Sequence, residues 1–280
     1  MKLYHTYAHV GRFADYLRDN GSSDLAPNPS WLIHLQGASR RVDGYCARSR
    51  FGSGFGPRVG TNRYDGTNER CLYLDDDLLA ITGGTVGVKD QTVGGNTTTL
   101  TDETDFIKGP YDTTPYRELR LPYNTFGVWG WADRSNLVTG TWGYSNETIA
   151  LGTLALADAS TTAGTLTAGT AYAGQTLLIG SEQVYVSSTA GTAVGGTALT
   201  LVRGVNGTTA AAGTAAASTY VYPEEVTEAT LEVAMRRWKG RDAGVSGDYG
   251  GGLIPQTGPR DTERSILNAA VSHLRVYSAG

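Results

Sequence analysis

Seven arginines, Arg40, Arg41, Arg48, Arg50, Arg58, Arg63 and Arg70, fall within about thirty residues. A planar guanidinium makes several directed hydrogen bonds at once, which suits it to carboxylates, phosphates and protein interfaces. The same density arises on the solvated face of a helix followed by a loop, and the sequence leaves both open. As an interface, the run would meet acids of a neighbouring copy, such as Asp75, Asp76 and Asp77 or the stretch from Asp102 to Asp105. A second cationic group, Arg236, Arg237 and Arg241, lies in the C-terminal part and joins the candidate interface.

Chemistry of other kinds finds little material. A hard cation needs several converging oxygens, and consecutive carboxylates such as Asp75-Asp76-Asp77 cannot all face one ion, so a solvated, charged turn is expected there. The four histidines, His5, His9, His34 and His273, are scattered without metal-site spacing or a triad partner. Cys46 and Cys71 are read as reduced packing residues, because two cysteines in different elements make no disulfide framework. GSGFG at 52–56 is not followed by Lys-Ser/Thr, and G-x-S-x-G does not occur. The N-x-[ST] matches at Asn96, Asn146 and Asn206 carry no meaning without secretion. No catalytic, cofactor-binding or metal-binding residue is assigned, and the chain is not expected to be an enzyme.

The chain has 280 residues, 40% of them hydrophobic, which is enough for one sizeable domain or two small ones. Its formal net charge of −4 gives no global basic footprint, so any contact with DNA must be local. MKLYHTYAHVGRF lacks the apolar stretch of a signal peptide, and no apolar run approaches the roughly 20 residues needed to span a bilayer. A cytoplasmic protein without membrane contact is expected.

Helical spacing of Phe13, Tyr16 and Leu17, closed by Gly21, predicts a short helix over 10–20. Asn28-Pro29 announces a longer one, with Trp31, Leu32, Leu35, Ala38, Val42, Tyr45 and Cys46 on one stripe. Beyond Phe51 the runs RCLYL, LLAIT and GTVGV, then two strands about a Gly109-Pro110 turn, then LVTGTWGY, predict a small, mostly antiparallel sheet. YPEEVTEATLEVAMRRWKGR has Pro223 in the first turn, acids at its start, bases at its end and Gly240 as a stop. A last helix is expected from Asp261, after the Gly-rich GVSGDYGGG.

Residues 149–221 differ: Asp158, Glu182 and Arg203 are their only charged side chains, among Thr, Ala, Gly and Val. Disorder normally combines low hydrophobicity with high charge. Here LLIGSEQVYVSS and ALTLVRG alternate with period two, and Asn206-Gly207 is a hairpin-type turn. An all-β module is expected, with a flexible linker as the alternative.

The order of these parts resembles the head-to-tail connector (adaptor) proteins of long-tailed bacteriophages. The resemblance rests on WLIHLQGASRRVDGYCARSRF, RYDGTNERCLYLDDDLLAITGGTVG, TLTDETDFIKGPYDTTPYRELRL, VTGTWGYS and YPEEVTEATLEVAMRRWKGR. In that family an "A-S-R, Y-C, R-F" helix precedes strands, and a "T-G-T-W-G-Y-S" strand leads into a "P-E-E/D" helix. Those positions are Ala38, Ser39 and Arg40, Tyr45 and Cys46, and Thr139 to Ser145 here. The departure is the tract between Ser145 and Pro223, an insertion similar to a small β module of phage neck and tail proteins. Many of those carry a His where this chain has Gly213.

The resemblance implies an α+β fold: a helical connector domain with a small antiparallel sheet (1–148 and 222–280) plus an inserted all-β domain, a β-barrel or sandwich-like module (149–221). It implies a structural virion protein in the neck, at the head-tail interface, assembled in the host cytoplasm as a homo-oligomeric ring, dodecameric in the family, under the portal protein. Such a ring joins head to tail, extends the channel for viral DNA passing without sequence-specific binding, and receives the next neck or tail protein, a stopper, tail terminator or equivalent. The arginines above become a candidate intersubunit or portal interface, and Asp75, Asp76 and Asp77 candidate channel-lining or interface acids. The region from Gly240 onward would dock on the portal. The alternative is a phage surface protein whose β insertion binds host glycan, for which the insertion offers only Tyr172, Tyr185 and Tyr220 as aromatics.

Overall fold

The computed structural model describes residues 4–21, 28–46, 54–66, 68–89, 97–122, 129, 133–189, 195–243 and 259–274. They divide into two compact units, one from 48–146 and one from 2–47 with 147–275. The expected α+β class does not hold. Strand accounts for 42% and helix for 26%, with a closed six-stranded barrel and four α-helices among the described residues. The Thr/Ala/Gly tract carries eight strands, and the runs RCLYL, LLAIT and GTVGV fuse into one 19-residue strand. Gly83 and Gly84, with φ of +68° and +66°, let that strand bend without ending.

The first unit is an antiparallel sheet of β1 (Arg58–Tyr64), β2 (Cys71–Lys89), β3 (Thr97–Thr101), β4 (Ile107–Gly109), β5 (Tyr116–Arg120) and β6 (Asn136–Trp142). Its order is β1-β6-β2-β5-β4, with β3 also paired to β2. Along β6 burial alternates with period two, so Val138, Gly140 and Trp142 face a core with Leu72, Leu78, Val86, Phe106, Leu119 and Trp129. Burying each large side chain contributes about 1.5–3 kcal/mol.

Two glycines of the T-G-T-W-G-Y-S stretch have steric reasons. A Cβ on Gly140 would stand 2.3 Å from the Ala80 carbonyl oxygen, and Gly143, at φ +149°, brings the same position to 2.7 Å from the Gly56 oxygen. Gly140→Ala is expected to cost the sheet about 2–4 kcal/mol. Urea unfolding followed by tryptophan fluorescence checks this, and an unchanged midpoint would contradict the close approach.

The second unit holds α1 (Val10–Asp19), α2 (Ser30–Tyr45), α3 (Glu224–Ala243) and α4 (Pro259–Val271), then a 3-10 turn at Ser272–Leu274. Phe13 and Leu17, Leu35 and Val42, Val226 and Val233, and Ile266 and Val271 are buried from the four helices in turn. Trp31 meets Phe13 edge-on at 5.8 Å and Trp238 at 6.4 Å. Asn28 Oδ1 accepts from Ser30 N at 2.9 Å, which satisfies a first-turn donor as the Asn-Pro pair implies. Gly240 does not end α3, and α4 starts two residues before Asp261.

The same unit contains β7 (Thr148–Leu156), β8 (Ala163–Leu166), β9 (Ala171–Tyr172), β10 (Thr176–Ile179), β11 (Glu182–Thr189), β12 (Gly195–Gly196), β13 (Ala198–Val202) and β14 (Gly213–Tyr220). Six of them close as β10-β11-β13-β8-β7-β14, while β9 and β12 form a separate ribbon. Leu154, Leu156, Leu166, Leu177, Val184, Val186, Leu199 and Leu201 fill the interior. Closure removes the free strand edges that a nearly uncharged tract would otherwise offer to other chains. Strands β7 and β14 pair from Thr148↔Tyr220 to Leu156↔Gly213, and Val221 N donates to Glu147 O at 3.0 Å. The barrel therefore begins and ends at one point.

Candidate functional site

The three charged residues of 149–221 converge. Arg203 Nε donates to Glu182 Oε1 and an Nη to Oε2, each at 2.8 Å, with the side chains 6% and 2% exposed. The remaining guanidinium hydrogens reach the carbonyls of Asp158, Thr161 and Ala211, and Glu182 also accepts from Gly204 N and Ala211 N. Burial alone would raise the Glu182 carboxyl, but the Arg203 hydrogen bonds and the two backbone donors outweigh it and hold the group below its ordinary value. Asp158 caps its own turn through Ser160 and Thr161. This node fixes the loops at one end of the barrel and uses every strong donor in doing so.

A second polar cluster is built on the N-terminal segment. Tyr4 N donates to Asn206 Oδ1 at 2.8 Å, and Thr176 Oγ1 donates to Tyr4 O. The His5 ring lies between the Tyr222 hydroxyl, 2.8 Å from Nδ1, and Asn206 Nδ2, 3.0 Å from Nε2. Asn206 Nδ2 also donates to Gln183 Oε1 at 2.8 Å. Thr6 and Gln36 share the Tyr185 hydroxyl, Tyr7 N donates to Ser39 Oγ, and the Tyr7 hydroxyl donates to Asp43. Residues 4–7 thus bond to the barrel on one side and α2 on the other. The Asn206-Gly207 turn, expected as a hairpin tip, has positive φ at both residues, yet Asn206 is only 2% exposed.

His9 completes the segment as the N-cap of α1, its Nδ1 accepting from Arg12 N, with the ring stacked on Tyr172 at 4.4 Å. Burial, aided by the Arg12 cation and opposed by Asp15, pulls its pKa from 6.5 to about 4. The unfolded chain therefore takes up this proton at a higher pH than the folded one. The contribution is fully present above about 6.5, declines as pH falls, and is lost through about 4, amounting to at most about 3 kcal/mol. His9→Asn keeps a capping side chain and is expected to shrink the drop in urea midpoint between about pH 7 and about pH 4.5. An equal drop in both proteins would contradict this.

The described arginines of the candidate interface differ in their surroundings. Arg40 is half-buried, 2.9 Å from Asp43, donating to the His5 carbonyl and 5.6 Å over the Tyr7 ring. Arg41 is exposed and 3.7 Å from Glu263. Arg58 is buried and shares Asp76 Oδ2 with Asn62, at 3.3 and 3.2 Å, beside Trp142. Arg63 is exposed on β1, and Arg70 donates to Pro122 O at 2.9 Å. Arg236 is exposed and pairs with Glu232, while the Arg237 guanidinium lies against Gly37. Arg241 falls on α3, where its side chain is outside the description, and Arg48 and Arg50 lie outside the described residues.

The acids depart from the solvated turn expected for them. Asp75, Asp76 and Asp77 belong to β2, where its pairing with β5 breaks between Tyr73 and Leu78. That irregularity turns two consecutive side chains inward, so Asp76 and Asp77 are 3% and 2% exposed. Asp77 accepts from Arg117 Nε at 3.1 Å, and Asp75 alone is half-exposed. The expected solvated turn is a pair of buried acceptors.

A groove of about 510 Å³ beside β8 is lined by Ala155, Ala163, Thr165, Ala198, Thr200 and Thr214 with their neighbours, none of them titratable. The described residues contain no group of His, Cys, Asp and Glu arranged to hold a metal, and no helix long and apolar enough to cross a membrane. What the side chains build is rigidity: ion pairs and amide networks that fix loops. Sequence reasoning missed His5, Gln183, Asn206 and Tyr222 as a cluster, since their partners lie far apart in the chain. Glu182 and Arg203 were visible as opposite charges in a neutral tract. Comparison with protein-family models, curated proteins and solved structures finds no match to this chain.

Proposed function

We propose that the chain is a head-to-tail connector of a long-tailed bacteriophage, a structural virion protein that forms a ring under the portal protein. The observation that supports this most is the pairing of Thr148 with Tyr220. A module whose first and last strands are neighbours can be accommodated between the T-G-T-W-G-Y-S strand and the P-E-E helix of a connector without separating them. The order of the remaining motifs is the second support.

A head-to-tail ring, twelve-fold in the resembled family, uses two complementary faces per subunit. Arg41, Arg63 and Arg236, which are exposed, are the members of the arginine set suited to such a face or to the portal. Asp76 and Asp77 are engaged by Arg58 and Arg117 inside the sheet unit, which argues against a channel-lining role for them. The next neck or tail protein binds the far side of the ring, and DNA passes without being read. A glycan-binding role for the insertion is disfavoured, because Tyr185 and Tyr220 are buried and Tyr172 is stacked on His9.

Removal of the gene from the encoding phage tests the reading. DNA-filled heads and free tails that fail to join are expected, while normal joining would refute it. Charge reversal at Arg63 and Arg236 together is expected to reduce joined particles with the protein still folded.

A further inference from the structure

We propose that Asn20 is a site of spontaneous deamidation in the folded protein, selected over the chain's other Asn-Gly pair by the way the fold holds the two. The inference concerns the chain alone and does not depend on the connector reading. The pairs are Asn20-Gly21 and Asn206-Gly207. A glycine after asparagine has no Cβ to obstruct the approach of its amide nitrogen to the asparagine Cγ. That nitrogen gives its proton to a base in solution and forms a bond to Cγ. The Cγ–Nδ2 bond breaks, and the amino group takes a proton from water and leaves as ammonia. Water then adds to one of the two carbonyls of the five-membered imide and reopens it, to aspartate or to isoaspartate. No oxidant or reductant takes part, and water is the only co-reactant consumed.

The pairs differ in what must come undone before the ring closes. Asn206 is 2% exposed, its Oδ1 accepts from Tyr4 N, and its Nδ2 lies 3.0 Å from His5 Nε2 and 2.8 Å from Gln183 Oε1. The backbone of its turn is tied as well, Val205 N donating to Gln183 O at 3.0 Å and Thr208 N to Val205 O at 3.1 Å. Swinging Cγ onto Gly207 N therefore breaks buried hydrogen bonds. Asn20 instead closes α1. Its N and Nδ2 both donate to Tyr16 O, at 3.1 and 2.8 Å, and Gly21 N donates to Arg18 O at 3.1 Å. Residues 18–21 are exposed, and these bonds belong to the last turn of a ten-residue helix. Fraying of that turn releases the Cγ and the attacking nitrogen together, at the low-cost end of local opening. The product also opposes reclosure. A carboxylate there replaces the Nδ2 donor to Tyr16 O and adds a negative charge to the C-terminal pole of α1, next to Asp19 in the chain.

Ageing of the full chain in heavy-oxygen water at mildly alkaline pH, followed by peptide mass spectrometry, tests this, with a parallel sample unfolded in guanidinium chloride. In the folded protein Asn20 is expected to convert, with uptake of heavy oxygen, at least about tenfold faster than Asn206, since only its site opens by end fraying. In the denatured sample, where both pairs are simply Asn followed by Gly, the two rates are expected to agree within about threefold. Asn20→Ser is expected to abolish the conversion at that position and leave the slow rate at Asn206 unchanged. The proposal is overturned by equal rates at the two pairs in the folded protein, by faster conversion at Asn206, or by a folded Asn20 that stays intact over the interval in which it converts in denaturant. A tenfold difference that persists in denaturant also overturns it, because the selection would then lie in local sequence and not in the fold.

Discussion

Glu182→Ala is expected to destabilise the barrel by about 3–5 kcal/mol, because it strands the Arg203 guanidinium in a site where the pair is nearly fully buried. It also leaves the Gly204 and Ala211 amides without their carboxylate acceptor. Arg203→Met should cost a similar amount, since Glu182 would then be a buried charge and three loop carbonyls would lose their donor. The double variant should lose far less than the sum, with a coupling of about 2 kcal/mol or more. Urea unfolding of the four proteins measures the cycle, and additive losses would show that the two side chains act independently. The pH dependence has a fixed sign. Glu182 is held below its ordinary value, so its contribution is complete above the unfolded carboxylate range and is lost as pH falls through the lower folded value.

Asp76→Ala is expected to cost the sheet unit about 3–5 kcal/mol by the same mechanism. Arg58 is 5% exposed, and its Nη would lose the only carboxylate it contacts among the described residues, leaving Asn62 Oδ1 as acceptor. Asn62 Nδ2 loses the same acceptor and keeps the Tyr64 hydroxyl at 3.4 Å. Because Arg58 lies 6.0 Å from the Trp142 ring, tryptophan fluorescence reports the change directly. Asp75→Ala, at the half-exposed neighbour, is expected to cost less than about 1 kcal/mol. Equal effects at the two positions would mean that the register break does not sort the acids as described.

The helices were legible because their signals are local: Asn28-Pro29 before α2, the acids of α3 in its first turn, and apolar residues every third or fourth position. The alternation of the Thr/Ala/Gly tract was legible as strand for the same reason. Barrel closure was expected only as one of two forms, barrel or sandwich, since it depends on β10 pairing with β14 some forty residues later. The fold class failed on weight: short runs separated by Gly looked like minor strands, and Gly83-Gly84 joined them instead. The acids failed on partners. Nothing near Asp76 announces that Arg58 and Asn62, on β1, will meet it inside the sheet. His5 gave no signal at all, because its meaning comes from Asn206 and Tyr222, about two hundred residues away.

Electron microscopy of this protein co-expressed with the portal protein encoded beside it tests the connector assignment most directly. The predicted result is a second ring stacked on the portal ring, with density for the 149–221 barrel protruding from it. Bare portal rings of normal form beside unattached copies of this chain would contradict the assignment.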